Sequence, residues 1–295
     1  CLHQPIWRTT TPRVQYILHT ETLATAARTW KDHSGLVTHT LPIWLFALLI
    51  VGGFVALSVG GLALFRWLSH GRVNLPEDMN NDVIFFASAI GVFYSLTVGL
   101  IAVGVWTNYS ESQDIVSAEA ASMAALYRDV SGYPEPLRTE LRTMLTDYTE
   151  FVVEQDWPAQ YRGEILNGGT LLLNDFQARL YSYNPETTGQ IALHDETLRQ
   201  YNDMIIHRRR RLDAVEGSLP SVMWAVVLVG AFLTISVTYL LKIRMDVHLV
   251  LTGFLAAFIG LVVFTMAGLD RPLSGPLAIS PEAYQLILDT VINLE

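Results

Sequence analysis

An uncharged run from Val83 to Trp106 is the feature that most limits how this chain can fold. Its twenty-four residues are mostly apolar, and they are long enough to cross the hydrocarbon core of a bilayer as a helix. The sequence then turns polar, but no glycine or proline follows until Gly132. Trp106 and Tyr109 suit the headgroup boundary, where an aromatic ring is half wet. We therefore predict one continuous helix that leaves the membrane near Trp106 and extends into water.

Three further apolar runs predict membrane spans at 41–68, 219–241 and 247–269. Only 16% of the residues are charged, against about 25% in an ordinary soluble domain. Four spans place both termini and the long segment between the second and third spans on one side of the membrane. The predicted parts are a disordered or spurious N-terminal extension (1–40), spans one and two (41–106), an extramembrane domain (107–218), spans three and four (219–269), and a tail (270–295).

The extramembrane segment repeats apolar residues at helical spacing and has no strand-like alternation. One seam is Val116, Ala120, Met123 and Tyr127; a second is Leu137, Leu141, Leu145, Tyr148 and Val152; a third is Leu172, Phe176 and Leu180; the last is Ile191, Leu198, Tyr201, Ile205, Leu212 and Val215. We expect breaks at Gly132–Pro136, Trp157–Pro158 and Asn184–Pro185, and a short amphipathic tail helix from Ser280. The predicted fold is an all-α integral membrane protein with four transmembrane helices and a helical extramembrane bundle between the second and third.

Positive charge near the span ends predicts the orientation of the chain, because such residues favour the cytoplasm. The side of the large segment carries seven: Arg28, Lys31, Arg208, Arg209, Arg210, Arg211 and Arg271. The other side carries four: Arg66, Arg72, Lys242 and Arg244. We therefore expect the helical domain and both termini in the cytoplasm.

Two faces of the second span carry different side chains. At 100° per residue, Phe86, Ile90, Phe93 and Thr97 fall together. They are candidate pore-lining residues that form a hydrophobic constriction, although contact with lipid or with another helix would use the same side chains. Small residues spaced by four form the other face (Ala87, Gly91, Ser95 and Gly99), and similar stripes occur on the first span (Gly52, Ala56 and Gly60) and the fourth (Gly253 and Ala257; Ala256 and Gly260). Such stripes let helices approach closely.

Polar residues flank the spans at two further places. Asn81 and Asp82 precede the second span, where they would sit at a pore mouth or cap the helix. Arg208, Arg209, Arg210 and Arg211 form an unbroken basic run a few residues before the third span. Such a cluster binds anionic headgroups or attracts small anions.

Several functional classes have no support in the sequence. The net charge of −9 argues against a general nucleic-acid role. The single cysteine, Cys1, excludes an internal disulfide framework and a metal site with several cysteines. Nucleotide-binding, nucleophile-elbow and zinc-protease motifs are absent, so we expect no catalytic residues, no metal and no cofactor. The spans hold no ionisable residue in their interiors, which argues against a carrier built on an intramembrane carboxylate.

Several short motifs together resemble the bestrophin-like membrane proteins, a family found largely in bacteria. They are Asn81–Val83, Gly91, Tyr94, Trp106 and Tyr109 around the second span, Val116–Ala120 and Leu126–Arg128 beyond it, and Leu269–Pro272, Ser274–Pro276 and Ser280–Glu282 after the fourth span. The name implies a distant likeness to bestrophins, pentameric anion channels in which the second span lines a hydrophobic neck. Their neck motif and their acidic calcium-binding cluster have no residue-by-residue match here.

The resemblance implies an oligomeric anion channel in a bacterial inner membrane, a pentamer if the likeness extends to assembly. Phe86, Ile90, Phe93 and Thr97 would correspond to the neck by position only. Membrane lipid, copies of the same chain and small anions are the expected partners. The alternative is a non-conducting membrane scaffold whose helical domain binds a cytosolic partner, and it is favoured by the absence of polar lining in any span.

Overall fold

The computed structural model describes residues 42–69, 79–275 and 277–292. Within these ranges the chain is helical and contains no strand, which confirms the predicted fold class. The helices are α1 (Ile43–Ser69), α2 (Met79–Val130), α3 (Leu137–Phe151), α4 (Trp157–Tyr161), α5 (Gly168–Tyr181), α6 (Thr188–Glu216), α7 (Ser221–Thr238), α8 (Met245–Leu269) and α9 (Glu282–Ile287). The predicted extension at 1–40 and most of the loop before the second span lie outside the described residues.

Four helices are long and apolar enough to cross a membrane: α1, the first part of α2, α7 and α8. The second span is one continuous helix of 52 residues that runs on into the extramembrane domain, as its unbroken sequence predicts. In the membrane part α1 lies against α8, and α2 lies against α7. Asp270, at the end of α8, accepts hydrogen bonds from Leu219 N–H at 2.7 Å and from Trp224 Nε1 at 3.2 Å. These bonds tie the end of the fourth span to the start of the third.

Only some of the small-residue stripes are used for packing within the chain. A Cβ added at Gly260 of α8 would lie 3.0 Å from Val51 Cα and 3.2 Å from Phe54 Cβ of α1. On α7, Gly230 lies directly under the Tyr94 ring of α2. By contrast, a Cβ at Gly52, Gly60, Gly91 or Gly99 would meet nothing within 4 Å. These four glycines therefore lie on faces that no described segment of the chain covers closely.

We expect Gly260→Ala to destabilise the membrane part by about 1–3 kcal/mol, the usual cost of overpacking a tight contact. The close contacts are with the Cα of Val51 and the Cβ of Phe54 on α1, whose positions a rotamer change cannot alter. Gly253→Ala, on the same helix, is the matched control, because its nearest contact would be Val59 Cγ2 at 3.9 Å. Thermal unfolding in detergent measures both. Equal melting temperatures for the two variants would contradict the close approach of α1 and α8.

The extramembrane part is a helical bundle built on the second half of α2. α6 runs along this half, α3 packs against α5, and the short α9 closes one end. The predicted seams of α2 and α3 are buried, as are Phe176 and Leu180 of α5. The chain after the fourth span folds back onto this bundle, because Ile279 O accepts hydrogen bonds from Trp157 Nε1 at 3.0 Å and from Tyr161 Oη at 3.3 Å.

The break predicted at Trp157–Pro158 is wrong. Helical structure continues from α3 through a π-helical turn at Val152–Asp156 into α4. In this turn the Trp157 N–H donates to Val152 O, five residues back. The wider turn accommodates the proline that follows, which lacks an N–H and would disrupt an ordinary α-helix. Single π-helical turns occur often at functional sites, and this one places Asp156 inside the bundle.

Candidate functional site

The predicted pore-lining face of the second span is largely uncovered by the other described residues. The side chains of Phe86 and Phe93 are 62% and 72% exposed, Thr97 is exposed and Ile90 is half-buried. Thr97 Oγ1 donates to the carbonyl of Phe93 at 2.8 Å, so its hydroxyl is satisfied within the helix. The structure thus places these residues on one apolar surface that is open to lipid, to a neighbouring subunit or to a pore.

An apolar groove lies beside this face, between the second span and the last span. It has a volume of about 410 Å³. Gly91 and Gly99 of the small-residue stripe line it, together with Tyr94, Thr234 and Phe258. In the most apolar stretch of α2 only 6% of the residues are buried, against 33% for α8. The second span therefore contributes more free apolar surface than the fourth.

Asn81 and Asp82 lie exposed in the first turn of α2. This is the helix end at which a carboxylate is favourable, and it is on the face of the membrane opposite the helical domain. Asn80, just before them, accepts a hydrogen bond from Lys242 N–H at 3.2 Å and so joins this end of α2 to the turn between α7 and α8. A role of Asn81 and Asp82 at a pore mouth stays a prediction.

The four arginines of the basic run lie on different faces of α6. Arg209 and Arg210 are exposed, whereas Arg208 is buried and Arg211 has no exposed surface at all. Arg211 cannot reach a headgroup or a free anion from inside the bundle, so that interpretation is wrong for this residue. Attraction of headgroups or anions stays a prediction for Arg209 and Arg210.

Arg211 instead forms the centre of a buried charged cluster. Its Nε lies 2.7 Å from Glu119 Oε2, and its Nη2 lies 3.2 Å from Glu119 Oε1. The Tyr148 hydroxyl donates to the same carboxylate at 3.1 Å. The rings of Trp157 and Tyr284 pack against each other beside the guanidinium, with ring centroids 5.3 and 5.8 Å from the guanidinium carbon. The cluster joins α2, α3, α4 and α6 of the bundle to α9 of the returning tail.

A second carboxylate in this cluster is poorly paired. Asp156 Oδ2 is 3.5 Å from Arg211 Nη2, and neither Asp156 oxygen has a hydrogen-bond partner among the described residues. The side-chain amide of Gln160, one turn further on, also has no partner there. Burial raises the pKa of the Asp156 carboxyl above its usual range, against the lowering influence of Arg211 and Arg208. The Glu119 carboxylate already pairs with Arg211, so an ionised Asp156 adds a second buried negative charge to the cluster.

We expect Asp156→Asn to stabilise the domain at neutral pH, because burial raises the pKa of this carboxyl and so disfavours its ionised form in the folded state. A carboxyl whose pKa is higher in the folded than in the unfolded protein stabilises the folded state at pH values below its unfolded pKa, about 3.9. This stabilisation is lost as the pH rises through the pKa of the folded state. The gain from asparagine should therefore shrink towards pH 4. Melting temperatures across pH, with the exposed Asp175→Asn as control, test this. Destabilisation by Asp156→Asn at pH 7.5 would show instead an ionised Asp156 that pairs with Arg211.

No sequence pattern considered above placed these cluster residues at one site. Asp156 follows Val152 at four residues on the apolar seam of α3, and Glu119 lies between Val116 and Ala120 on the seam of α2. A carboxylate on an apolar seam was therefore the available signal. Among the described residues, no group of three or more His, Cys, Asp or Glu side chains could hold a metal ion.

Four apolar helices, one of them shared with a large extramembrane bundle, define the chain as a polytopic helical membrane protein. A family model described as the Bestrophin-like domain matches residues 52–284. The chain therefore belongs to the bestrophin-like family, as its motifs indicate. No curated protein and no solved structure matched the chain.

Proposed function

We propose that the protein is an oligomeric, passive anion channel whose second span lines the pore. The observation that carries this proposal is the uncovered face of α2, where Phe86, Phe93 and Thr97 project away from the other spans of the same chain. Membership of the bestrophin-like family supports it. Several copies arranged around an axis would bring this face together, and the helical domain would then form a vestibule at the cytoplasmic side of a bacterial inner membrane.

An apolar constriction of this kind gates by dewetting, because water leaves a narrow pore lined with phenyl rings. Weakly hydrated anions cross such a segment at the lowest cost. The exposed guanidinium groups of Arg209 and Arg210 raise the local anion concentration around the domain, which increases the entry rate. Asn81 and Asp82 would lie at the opposite mouth.

A non-conducting scaffold is the second candidate. Large apolar side chains on the surface of the helical domain favour it: Leu171 is 64% exposed and Leu286 is 61% exposed. A partner that covered them would use the membrane part only as an anchor. In that case the free face of the second span contacts lipid or another subunit and surrounds no pore.

Chloride efflux from liposomes, with the oligomer mass measured on the same purified sample, tests the proposal. We expect efflux from an assembly of several subunits, a pentamer in the case closest to bestrophins. A monomer or dimer, or a well-folded larger assembly that passes none of several anions, would contradict the channel. Affinity capture of a partner would then test the scaffold. It compares the unmodified protein with a variant that carries Leu171→Glu and Leu286→Glu.

A further inference from the structure

A cavity of about 360 Å³ lies at the face of the membrane opposite the helical domain. It is enclosed by the last turn of α1 and by the turn that joins α7 to α8. Its polar lining comes from Arg66, Ser69, Tyr239 and Lys242. Trp67, next to Arg66, is 65% exposed, as expected of an indole at the headgroup boundary. The cavity therefore opens at the depth of lipid headgroups.

The guanidinium group of Arg66 is held in a fixed position at the wall of this cavity. Its Nη2 donates to Ile243 O at 2.8 Å and lies 2.9 Å from His248 Nδ1. On the other side of the ring, His248 Nε2 lies 3.0 Å from Thr238 O, which can only accept. Nε2 therefore carries the hydrogen and Nδ1 accepts from Arg66, so the buried imidazole is neutral in this arrangement and orients the guanidinium.

The charge of Arg66 is not balanced within the described part of the chain. No carboxylate there forms an ion pair with it, and its two hydrogen bonds to described residues both use Nη2. Three of the five N–H donors of a guanidinium remain on Nη1 and Nε. Arg244, on the same face, differs in this respect, because its Nη2 lies 2.7 Å from Asp246 Oδ2. Lys242 also contributes to the cavity lining.

We propose that this cavity binds a phosphate group through Arg66. A planar guanidinium with free N–H groups matches the oxygen spacing of a phosphate, and a fixed guanidinium loses little freedom on binding. Basic pockets between the ends of membrane helices bind anionic headgroups. Exposed Trp67 and Leu68 beside the cavity offer an apolar surface for an acyl chain. The phosphate belongs either to an anionic phospholipid or to free phosphate in the adjoining solution.

Native mass spectrometry and thermal unfolding of the full chain in a non-ionic detergent test the site. The probes are dioctanoyl phosphatidylglycerol, dioctanoylglycerol (which has the same acyl chains and no phosphate) and inorganic phosphate. We expect a specific adduct and a higher melting temperature with phosphatidylglycerol. A similar response to inorganic phosphate identifies the phosphate alone as the recognised group, whereas its absence identifies the lipid. Equal responses to phosphatidylglycerol and to phosphate-free dioctanoylglycerol, without a response to inorganic phosphate, would overturn the proposal, because the acyl chains alone would then account for binding.

Three variants separate the site from general charge effects. Arg66→Gln should weaken phosphatidylglycerol binding at least about tenfold, as loss of one charge-assisted pair implies. Ser69→Glu loses the hydrogen bond of the Ser69 hydroxyl to the Arg66 carbonyl but keeps the guanidinium contacts with Ile243 and His248. The new carboxylate would occupy the remaining guanidinium N–H groups, so binding should weaken similarly even if Arg66→Gln fails to fold. Arg244→Gln is the control on the same membrane face and should bind like the unmodified chain. Unchanged binding in Ser69→Glu, or equal losses in all three variants, would contradict the proposal.

Discussion

Replacing Arg211 by methionine is expected to destabilise the helical domain by about 3–5 kcal/mol, the usual cost of removing one partner from a buried ion pair. The Glu119 carboxylate would stay buried with the Tyr148 hydroxyl as its remaining hydrogen-bond donor. The contact of the guanidinium with the Trp157 and Tyr284 rings would also be lost, and with it part of the attachment of the returning tail. Thermal unfolding of the purified protein, followed by limited proteolysis near the tail, measures the effect.

Arg210→Met is the matched control, because this neighbour is exposed and the same change there should leave the stability nearly unchanged. The double variant Glu119→Leu with Arg211→Met should recover most of the lost stability, since apolar residues of similar size replace a buried pair at little net cost. If Arg211→Met melts at the temperature of Arg210→Met, the cluster does not hold the bundle together.

Replacing Phe86, Ile90 and Phe93 together by alanine is expected to raise chloride efflux severalfold if the second span forms a hydrophobic constriction. Removal of the side chains widens the narrow segment and lowers the cost of filling it with water. The three residues lie on one face and contribute little to packing within the chain, so the variant should fold. Efflux from liposomes at matched protein density measures the change, and the oligomer mass confirms assembly.

Phe232→Ala combined with Phe254→Ala removes equally exposed rings from the third and fourth spans, where they are 67% and 72% exposed. This control should leave efflux unchanged. An assembled triple variant that conducts no faster than the unmodified protein would remove the pore assignment from this face. Equal acceleration by both variants would indicate a general loosening of the membrane part.

Much of the fold follows from patterns that act over short distances. Apolar runs of sufficient length predicted the four spans, and the absence of glycine and proline between Trp106 and Gly132 predicted the unbroken helix that ends at Val130. The π-helical turn before Pro158 was not predictable, because the sequence shows a proline after a helix and gives no sign that a widened turn precedes it. The position of the tail depends on the hydrogen bond between Trp157 and Ile279. These residues lie 122 positions apart, so a pattern over a short stretch of sequence does not predict their contact.

The charged cluster illustrates why buried charged residues were harder to predict than the buried apolar seams. On α6 the buried row contains Tyr201, Met204, Arg208, Arg211 and Val215, at spacings of three and four. An arginine in such a row has the pattern of a surface residue unless its partner is known. The partner of Arg211 is Glu119, which lies 92 positions earlier. The free face of the second span has the opposite difficulty, because none of the described residues covers it closely.

The second span and the central helix of the extramembrane bundle are one continuous helix, α2. This continuity makes α2 a mechanical lever. The part beyond Trp106 rises about 36 Å at 1.5 Å per residue, so a tilt of about 5° at the membrane surface displaces its far end by about 3 Å. No flexible joint lies between the two parts, since the helix is unbroken from Met79 to Val130. Force applied to the domain therefore reaches the bilayer as a rotation or translation of the whole rod, and a ligand that held the rod in one orientation would set the geometry of the membrane part.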